Sequence, residues 1–425
     1  MNLSARHVRP SLLSFALLVA LPGLLAGCGD DDDADPGPKA GGSGAGGMGG
    51  AAGKGGGGGA GGSGGAGASG AGGAGAGGAS GASGAAGAGG APLPLPTLSE
   101  LPTGKFNFLP TGGPTTCSKG SDYGFYVRPG ATGRVVVNFS GGGACWDDAT
   151  CAAGIFSESV QGTPPPAGLF DHANAANPVA DWTHVFVPYC TADVHWGDNV
   201  QAYAGGANPI RHKGAVNARA VLDWVYREFA APERVFVTGC SAGAYGSALW
   251  SAHVREHYKD APTAVAQLGD AGAGISPGGF FQTAAAAWKP QSAYPTWIGD
   301  FSQYTELTPM YVAIADHYPG SLFSQLTSRL DQTQVSFYSL MGGPGGANAW
   351  SQAMLASLAA IDADTANFSS YVWEGSTHCA IEKNAFYTVS ENGTSLASWV
   401  ASLTTGTLPP NVACPGCTLT PPAAP

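Results

Sequence analysis

Two short runs of consecutive apolar residues each lead into a glycine-containing segment. Residues 134–140 read RVVVNFS and residues 234–238 read RVFVT. Runs rich in β-branched and aromatic residues, without polar alternation, are typical of buried strands in parallel sheets. The second run is followed by GCSAG and then by AYGSALWSAHVREHY, in which apolar residues recur at helical intervals. The pattern therefore predicts a strand, a tight turn over residues 239–243 and a helix.

Three further strands are predicted in the second half of the chain. Residues 263–270 (TAVAQLGD) and 322–331 (LFSQLTSRLD) each end in an aspartate, and residues 370–378 (SYVWEGSTH) end in a histidine. One helix, over about residues 348–360, separates the last two strands. Strands that alternate with helices predict an α/β fold with a mostly parallel sheet and helices on both faces.

The first 27 residues have the composition of an export signal. Arg6 and Arg9 precede the apolar run SLLSFALLVALPGLL, which is too short for a comfortable membrane span. The ending LAGC resembles a bacterial lipobox, so we predict a lipoprotein signal peptide with lipidation at Cys28; a plain secretory signal is the alternative. The predicted location is lipid-anchored at a bacterial membrane, periplasmic or on the cell surface, and otherwise secreted.

Residues 28–95 are predicted to be a flexible tether. An acidic run at residues 30–33 is followed by a segment of glycine, alanine and serine that has no aromatic residue. Such a segment cannot bury enough apolar surface to offset the entropy of ordering it. Aromatic and aliphatic content resumes near residue 96, so residues 96–425 are predicted to form one catalytic domain.

The charge balance argues against polyanionic partners. The chain has a net charge of −11 and contains no cluster of basic residues. This excludes electrostatic capture of nucleic acid, and it predicts membrane association only through the N-terminal lipid. No cofactor or metal ion is predicted, and the oligomeric state is left open.

Export changes how the nine cysteines are interpreted. Cys28 belongs to the anchor, which leaves eight. An even number in an oxidising compartment indicates disulfides, although the sequence does not choose among their pairings. Cys145 and Cys151 are close enough to staple one loop. A lone C-x-x-C, Cys414 to Cys417, favours a small terminal disulfide over a redox or zinc pair.

The predicted turn carries candidate chemistry at Ser241. The segment 239–243 fits G-x-S-x-G between a strand and a helix, a nucleophile elbow in which glycines permit a strained turn that exposes the serine hydroxyl. The pattern alone is weak, because GGSGG at residues 61–65 also fits it, but only Ser241 has the required strand and helix around it.

A nucleophilic serine needs a base, and an acid that orients the base. His378 follows a predicted strand and comes after Ser241 in the chain order of α/β-hydrolases. Asp331 and Asp270 are both candidates for the acid. Asp331 is preferred because its strand directly precedes that of His378, so their C-terminal loops are predicted to be neighbours. The glycines at 141–143, after the first buried strand, suit an oxyanion hole that is completed by the N–H of Ala242.

These motifs together resemble the pectin acetylesterase family, which includes the Notum carboxylesterases. The resemblance covers roughly residues 104 to 400 and is carried by GGGACWDDATC, VPYCTADVHWGD, HKGAVNARAVLDWV, VTGCSAGAYGS, LTSRLDQTQ and EGSTH, in that order. It implies an α/β-hydrolase fold and a triad that acts on O-acyl esters.

By position, the resemblance implies roles for individual residues. Ser241 would be the nucleophile, Asp331 the acid and His378 the base, and Asp270 would become a structural or cleft-lining residue. The implied oxyanion donors are Gly142, Gly143 and Ala242, the candidate substrate-site residues are Trp146, His195 and Trp196, and the implied disulfides are Cys117–Cys190 and Cys145–Cys151. A further disulfide, Cys240–Cys379, is our own hypothesis, with two buried thiols as the alternative.

One departure from the family pattern concerns the substrate pocket. Relatives often carry GGxWC, whereas this chain has Gly143-Ala144-Cys145, so a bulky wall of the pocket is expected to be missing. The predicted function is hydrolysis of O-acyl esters, O-acetyl on a glycan being preferred and longer acyl chains on protein or lipid being the alternative.

Two other classes of protein were weighed against a serine esterase. Residues 253–257 read HVREH, an inverted zinc-peptidase signature, but they lie on the helix after the elbow, and the solvated end of that helix explains them better. A non-catalytic binding module on a hydrolase fold is the third class. The presence of nucleophile, base and acid candidates argues against it.

Overall fold

The computed structural model describes residues 90–206, 208–298 and 306–418. The predicted signal peptide, Cys28 and nearly all of the tether lie outside the described residues, so those interpretations stay predictions. No helix in the described ranges is both long enough and apolar enough to cross a membrane.

The strands and helices alternate along much of the chain. The strands are β1 (Asn107–Pro110), β2 (Gly124–Arg128), β3 (Ala131–Phe139), β4 (Trp182–Val187), β5 (Asn199–Gln201), β6 (Ile210–His212), β7 (Arg234–Cys240), β8 (Ala264–Asp270), β9 (Phe323–Ser328), β10 (Phe368–Trp373), β11 (Ser390–Glu391), β12 (Thr394–Ser395) and β13 (Val412–Ala413). The α-helices are α1 (Asp148–Ala153), α2 (Gly214–Glu228), α3 (Ala242–His257), α4 (Phe280–Trp288), α5 (Leu307–His317), α6 (Gln332–Leu340), α7 (Gly346–Asp364), α8 (Ala385–Thr388) and α9 (Leu396–Thr404). Short 3-10 helices cover Leu98–Glu100, Gly168–Phe170, Pro290–Ala293 and Thr296–Ile298.

One large sheet organises the domain. Its strand order is β1-β2-β4-β3-β7-β8-β9-β10-β13. The β1–β2 and β2–β4 pairs are antiparallel, and every pair from β4 to β13 is parallel. The parallel strands therefore present their carboxyl ends along one edge, where α/β proteins bind ligands.

Both faces of this sheet are buried, which explains the apolar runs in the sequence. Successive side chains of a strand point to opposite faces. In β3, Val135 and Val137 join one hydrophobic cluster while Val136 joins a second. Val235 and Phe236 of β7 divide in the same way. A strand covered on both sides needs apolar residues without alternation.

The connection between β9 and β10 differs from the prediction. The sequence pattern predicts one helix there, whereas the structure has two, α6 and α7. Helix α6 reads QTQVSFYSL, in which β-branched and aromatic residues weaken the helical signal. Strands β9 and β10 are nonetheless parallel neighbours, as the sequence analysis expected.

Four disulfides cross-link the described chain. They join Cys117 to Cys190, Cys145 to Cys151, Cys240 to Cys379 and Cys414 to Cys417. All four pairs were named in the sequence analysis. Disulfides of this number are typical of proteins that fold in an oxidising compartment.

Candidate active site

Ser241 occupies a strained turn between β7 and α3. Its backbone angles are φ 56° and ψ −122°, a region that residues other than glycine rarely adopt. A side chain at Gly239 or Gly243 would overlap the backbone carbonyl of Phe139. Both glycines are therefore needed for the elbow to pack against β3, as the G-x-S-x-G pattern predicted.

His378 contacts Asp331 after the neighbouring strands β9 and β10. The Nδ1 atom of His378 lies 2.9 Å from both carboxylate oxygens of Asp331. Because a carboxylate oxygen accepts hydrogen bonds, Nδ1 carries the proton and Nε2 is left as the basic nitrogen. Asp331 is fully buried, and the side chain of His378 is 20% exposed. An oriented imidazole thus faces the accessible side of the site.

Gln334 holds the carboxylate of Asp331, and the sequence analysis did not single it out. Its backbone N–H donates to Oδ1 over 2.9 Å and its side-chain amide donates to Oδ2 over 3.0 Å. Asp331 is the N-cap of α6, so D-x-x-Q places Gln334 where a capping-box partner stands. That local signal predicts the bond from the Gln334 backbone N–H but not the one from its side-chain amide, whose oxygen accepts the N–H of Ala273 instead.

Ser241 and His378 line the same cavity at the carboxyl edge of the sheet. It has an empty volume of about 670 Å³, counted to its open mouth. Most of the lining is aromatic or aliphatic and includes Trp146, Val194, Ile275, Phe280, Trp288, Phe337 and Met341. Mostly apolar pockets with a few polar groups are typical small-molecule sites.

Two of the three predicted oxyanion donors line the cavity. Gly143 and Ala242 line it beside Ser241, and Ala242 begins α3, where backbone N–H groups have no intrahelical acceptor. Gly142 is not among the described lining residues, and its carbonyl accepts a hydrogen bond from the Ser157 N–H at 2.8 Å. Positive φ angles at Gly142 and Gly143 explain why the turn requires glycine.

One of the three candidate substrate-site residues reaches the cavity. Trp146 lines it and packs edge-on against Phe280 with ring centroids 4.9 Å apart. Ala144, which stands where relatives carry a bulky residue before the cysteine, also lines the cavity, and Trp146 adds an indole two positions later.

The structure does not bring His195 and Trp196 to the lining. His195 is buried, and its Nε2 lies 2.9 Å from the carbonyl oxygen of Ser140, just before the glycine turn. Burial lowers its pKa to about 4, so the ring is neutral. The Trp196 indole is also buried and donates to the carbonyl of Tyr245. His195 and Trp196 are therefore buried core residues that do not line the cavity.

Asp270 bonds to the backbone of the loop after His378 and forms no hydrogen bond with the ring of His378. Its Oδ2 accepts hydrogen bonds from the backbone N–H groups of Ala380 and Ile381, at 2.6 and 2.8 Å. Between the two acids that the sequence left open, the structure brings Asp331 to the imidazole.

The disulfide Cys240–Cys379 joins the residue before Ser241 to the residue after His378. These cysteines and His378 are also the one group of potential metal ligands found close together in the described ranges. Sulfur atoms that are bonded to each other are not free thiolate ligands, so the group is explained by the disulfide.

Removal of this disulfide is expected to lower the free energy of unfolding. It closes a segment of 139 residues, against 3 for Cys414–Cys417. In the chain-entropy account, Cys240→Ala/Cys379→Ala should lower the free energy of unfolding by about 3–5 kcal/mol, and Cys414→Ala/Cys417→Ala by less than about 2 kcal/mol. Urea unfolding of both double variants measures the difference; equal losses would contradict the prediction.

The H-x-x-E-H residues are engaged in other contacts. His253 Nε2 bonds to the carbonyl of Ala293 at 2.7 Å, and the His257 ring stacks on Tyr226 at 3.7 Å. Glu256 pairs with Lys259 at the exposed end of α3. These partners account for the motif as part of helix packing.

Comparisons with known proteins agree with this geometry. The pectinacetylesterase family matches residues 105–286. Palmitoleoyl-protein carboxylesterase notum2 of Xenopus laevis is 29% identical over 143 residues, which is 31% of this chain. The match spans 28% of the length of that relative.

Solved structures extend the similarity to the whole fold. The Wnt deacylase Notum from Drosophila, in two crystal forms, superposes with TM-scores of 0.57 and 0.54 at 18% and 19% identity. Each superposition covers 71% of this chain, and 93% and 92% of the respective Notum chains. The predicted α/β-hydrolase fold is confirmed.

Proposed function

This chain belongs to the pectin acetylesterase and Notum-like family, and from that membership we propose that it is a serine carboxylesterase that cleaves O-acyl esters through an acyl-enzyme. The observation that carries the proposal is the contact between Asp331 and His378 at a cavity that Ser241, on a strained elbow, also lines. A positioned acid, base and hydroxyl are what nucleophilic catalysis requires.

The proposed reaction has two steps. Nε2 of His378 removes the proton of Ser241 as the hydroxyl oxygen attacks the ester carbonyl, and the imidazolium then protonates the leaving alcohol. Water, deprotonated by the same nitrogen, releases the acid from Ser241. Asp331 holds the ring in the Nδ1–H tautomer and stabilises its charged form.

Backbone donors are proposed to stabilise the negative oxygen of each tetrahedral intermediate. Gly143 and Ala242 are supported by their place in the lining beside Ser241, and the start of α3 adds the favourable end of a helix dipole. Gly142 stays a candidate on its position in the glycine turn alone.

The cavity favours a longer acyl chain over the acetyl group that the sequence analysis preferred. An acetyl group can contact only a small part of a largely aromatic and aliphatic lining. Each additional buried methylene contributes about 0.8 kcal/mol. The relative from Xenopus laevis is named for a palmitoleoyl substrate on protein. We therefore place esters of medium or long acyl chains first, and acetylated glycans second.

A series of p-nitrophenyl esters tests this choice of substrate. We expect kcat/KM to rise about 100-fold from acetate to octanoate, because six more methylenes enter the apolar cavity and part of their transfer free energy is realised in the transition state. A rate that is highest for acetate and falls with each added carbon would support deacetylation instead.

A charge in the cavity wall should remove that preference. Phe337 lies on α6, is half-buried and lines the cavity. Phe337→Asp should lower kcat/KM for octanoate at least tenfold and change that for acetate less than threefold, because burying a chain against a carboxylate is unfavourable. Phe337→Leu is the matched control and should keep the preference. Equal losses for both esters would contradict the assignment of this wall.

Export is proposed together with the activity. The disulfides support an oxidising compartment, and the predicted signal and lipidated Cys28 would anchor the protein to a bacterial membrane. Globomycin treatment of expressing cells tests the anchor: an unprocessed precursor is expected, whereas normal processing would favour the plain secretory signal.

A further inference from the structure

Asp270 is a buried acid that the proposed acyl transfer does not use. It is fully buried at the end of β8, in register with Cys240 of β7 and Leu326 of β9. Asp270 therefore lies between the strand that leads to the nucleophile and the strand that leads to the triad acid. The described lining of the cavity does not include it.

Asp270 is bonded to both the nucleophile turn and the histidine loop. Its backbone carbonyl accepts the N–H of Ser241 at 2.8 Å. Its carboxylate Oδ2 accepts the N–H groups of Ala380 and Ile381 at 2.6 and 2.8 Å. These two residues follow His378 and Cys379 directly, so one side chain closes the loop that carries the imidazole.

The histidine loop needs such a restraint. Cys379 has a φ of 61°, in the left-handed region that disfavours residues with a side chain. The disulfide to Cys240 ties this residue to the nucleophile strand, and the carboxylate of Asp270 ties the next two residues to β8. The loop is thus held from two adjacent strands.

The side chain of Asp270 is ionisable although it is fully buried, and burial disfavours its charged form. Burial raises the pKa of Asp270 to about 7, and its Oδ1 has no hydrogen-bond partner among the described residues. No lysine or arginine in the described ranges forms an ion pair with it. Glu382 and the buried Asp331 lie near enough to disfavour its charge further, so the two backbone N–H groups are the hydrogen bonds that stabilise the carboxylate.

We propose that Asp270 is a positioning residue that sets the separation between Ser241 and His378, its carbonyl holding the nucleophile turn and its carboxylate holding the base loop. This inference rests on the proposed function, because it needs Ser241 and His378 to act together. A base displaced by about 1 Å costs roughly 100-fold in rate while substrate binding is unaffected.

Steady-state kinetics of Asp270→Ala and Asp270→Asn on p-nitrophenyl octanoate test the proposal. Asp270→Ala leaves two buried N–H groups unpaired, and kcat should fall about 100-fold with KM changed less than threefold. Asp270→Asn keeps an oxygen that can accept both bonds, so its kcat should fall no more than about tenfold. Tyr258→Phe is the control: it removes a buried hydrogen bond to the carbonyl of Phe229, far from the site, and should leave kcat unchanged.

Each outcome separates the positioning role from the proposed function. Wild-type kcat in Asp270→Ala, or a raised KM with kcat intact, would overturn the positioning role while the esterase stands. Failure of a fluorophosphonate to label Ser241 in the wild type would overturn both. If Asp270→Ala does not fold, Asp270→Ser decides, because its short hydroxyl cannot accept both bonds: kcat should fall at least tenfold with KM unchanged, and a wild-type kcat would overturn the positioning role.

Discussion

Ser241→Ala is expected to lower kcat by about 10⁶-fold on any ester that the wild type hydrolyses. The hydroxyl oxygen forms the covalent intermediate, and alanine leaves only the rate enhancement that binding and the backbone donors provide. The methyl group occupies the same strained turn, so the fold should be retained. Hydrolysis of p-nitrophenyl octanoate and the urea midpoint measure activity and folding on the same sample.

Ser247→Ala is the matched control for the nucleophile. Ser247 lies on the same helix, is fully buried, and bonds to the carbonyl of Ala244 and to the Gln267 side chain. Its removal should cost about 1 kcal/mol of stability and leave kcat within threefold of the wild type. An active Ser241→Ala enzyme would refute the acyl-enzyme mechanism.

Asp331→Asn is expected to lower kcat by about 10⁴-fold, the second-largest effect. The amide nitrogen would donate towards Nδ1 of His378 and favour the tautomer that carries its proton on Nε2. That nitrogen could then no longer remove the proton of Ser241. The carboxamide has the volume of the carboxylate but puts an NH₂ group against one of the two Gln334 donors, so the free energy of unfolding should fall while KM changes little.

The pH dependence and a remote variant provide the controls for Asp331→Asn. Partial recovery of activity at high pH is expected, because hydroxide can replace the missing base. Asp362→Asn alters an exposed carboxylate that bonds Asn411 and should have wild-type activity. Full activity in Asp331→Asn, together with a 10⁴-fold loss in Asp270→Asn, would show that the two acids have been assigned the wrong way round.

Some parts of the candidate site were predictable from short segments of sequence. The apolar run 234–238 followed by G-x-S-x-G predicted the elbow, because strand, strained turn and helix are adjacent in the chain. Helix α6 was missed because its β-branched and aromatic residues weaken the helical signal. The cap formed by Asp331 and Gln334 was available locally but was not recognised.

Other parts could not be decided locally. Trp146 and Trp196 both lie in motif segments. Only Trp146 lines the cavity, and the Trp196 indole instead donates a hydrogen bond to the carbonyl oxygen of Tyr245. Which side of a loop meets a cavity depends on the packing of distant helices.

The sequence by itself determined the strand, turn and helix that place Ser241 on an elbow, because periodicity and turn chemistry depend on neighbouring residues, and its motifs carried the resemblance to the pectin acetylesterase family. The order of the strands along the chain favoured Asp331 as the acid, and the tertiary structure decided the contact itself and gave Asp270 its bonds to the histidine loop. Asp270 and Asp331 both follow apolar strands, and their local sequences are equivalent in this respect. Because of the order of strands in the sheet, the carboxylate of Asp331 contacts the ring of His378. The carboxylate of Asp270 contacts the backbone of the loop that carries His378.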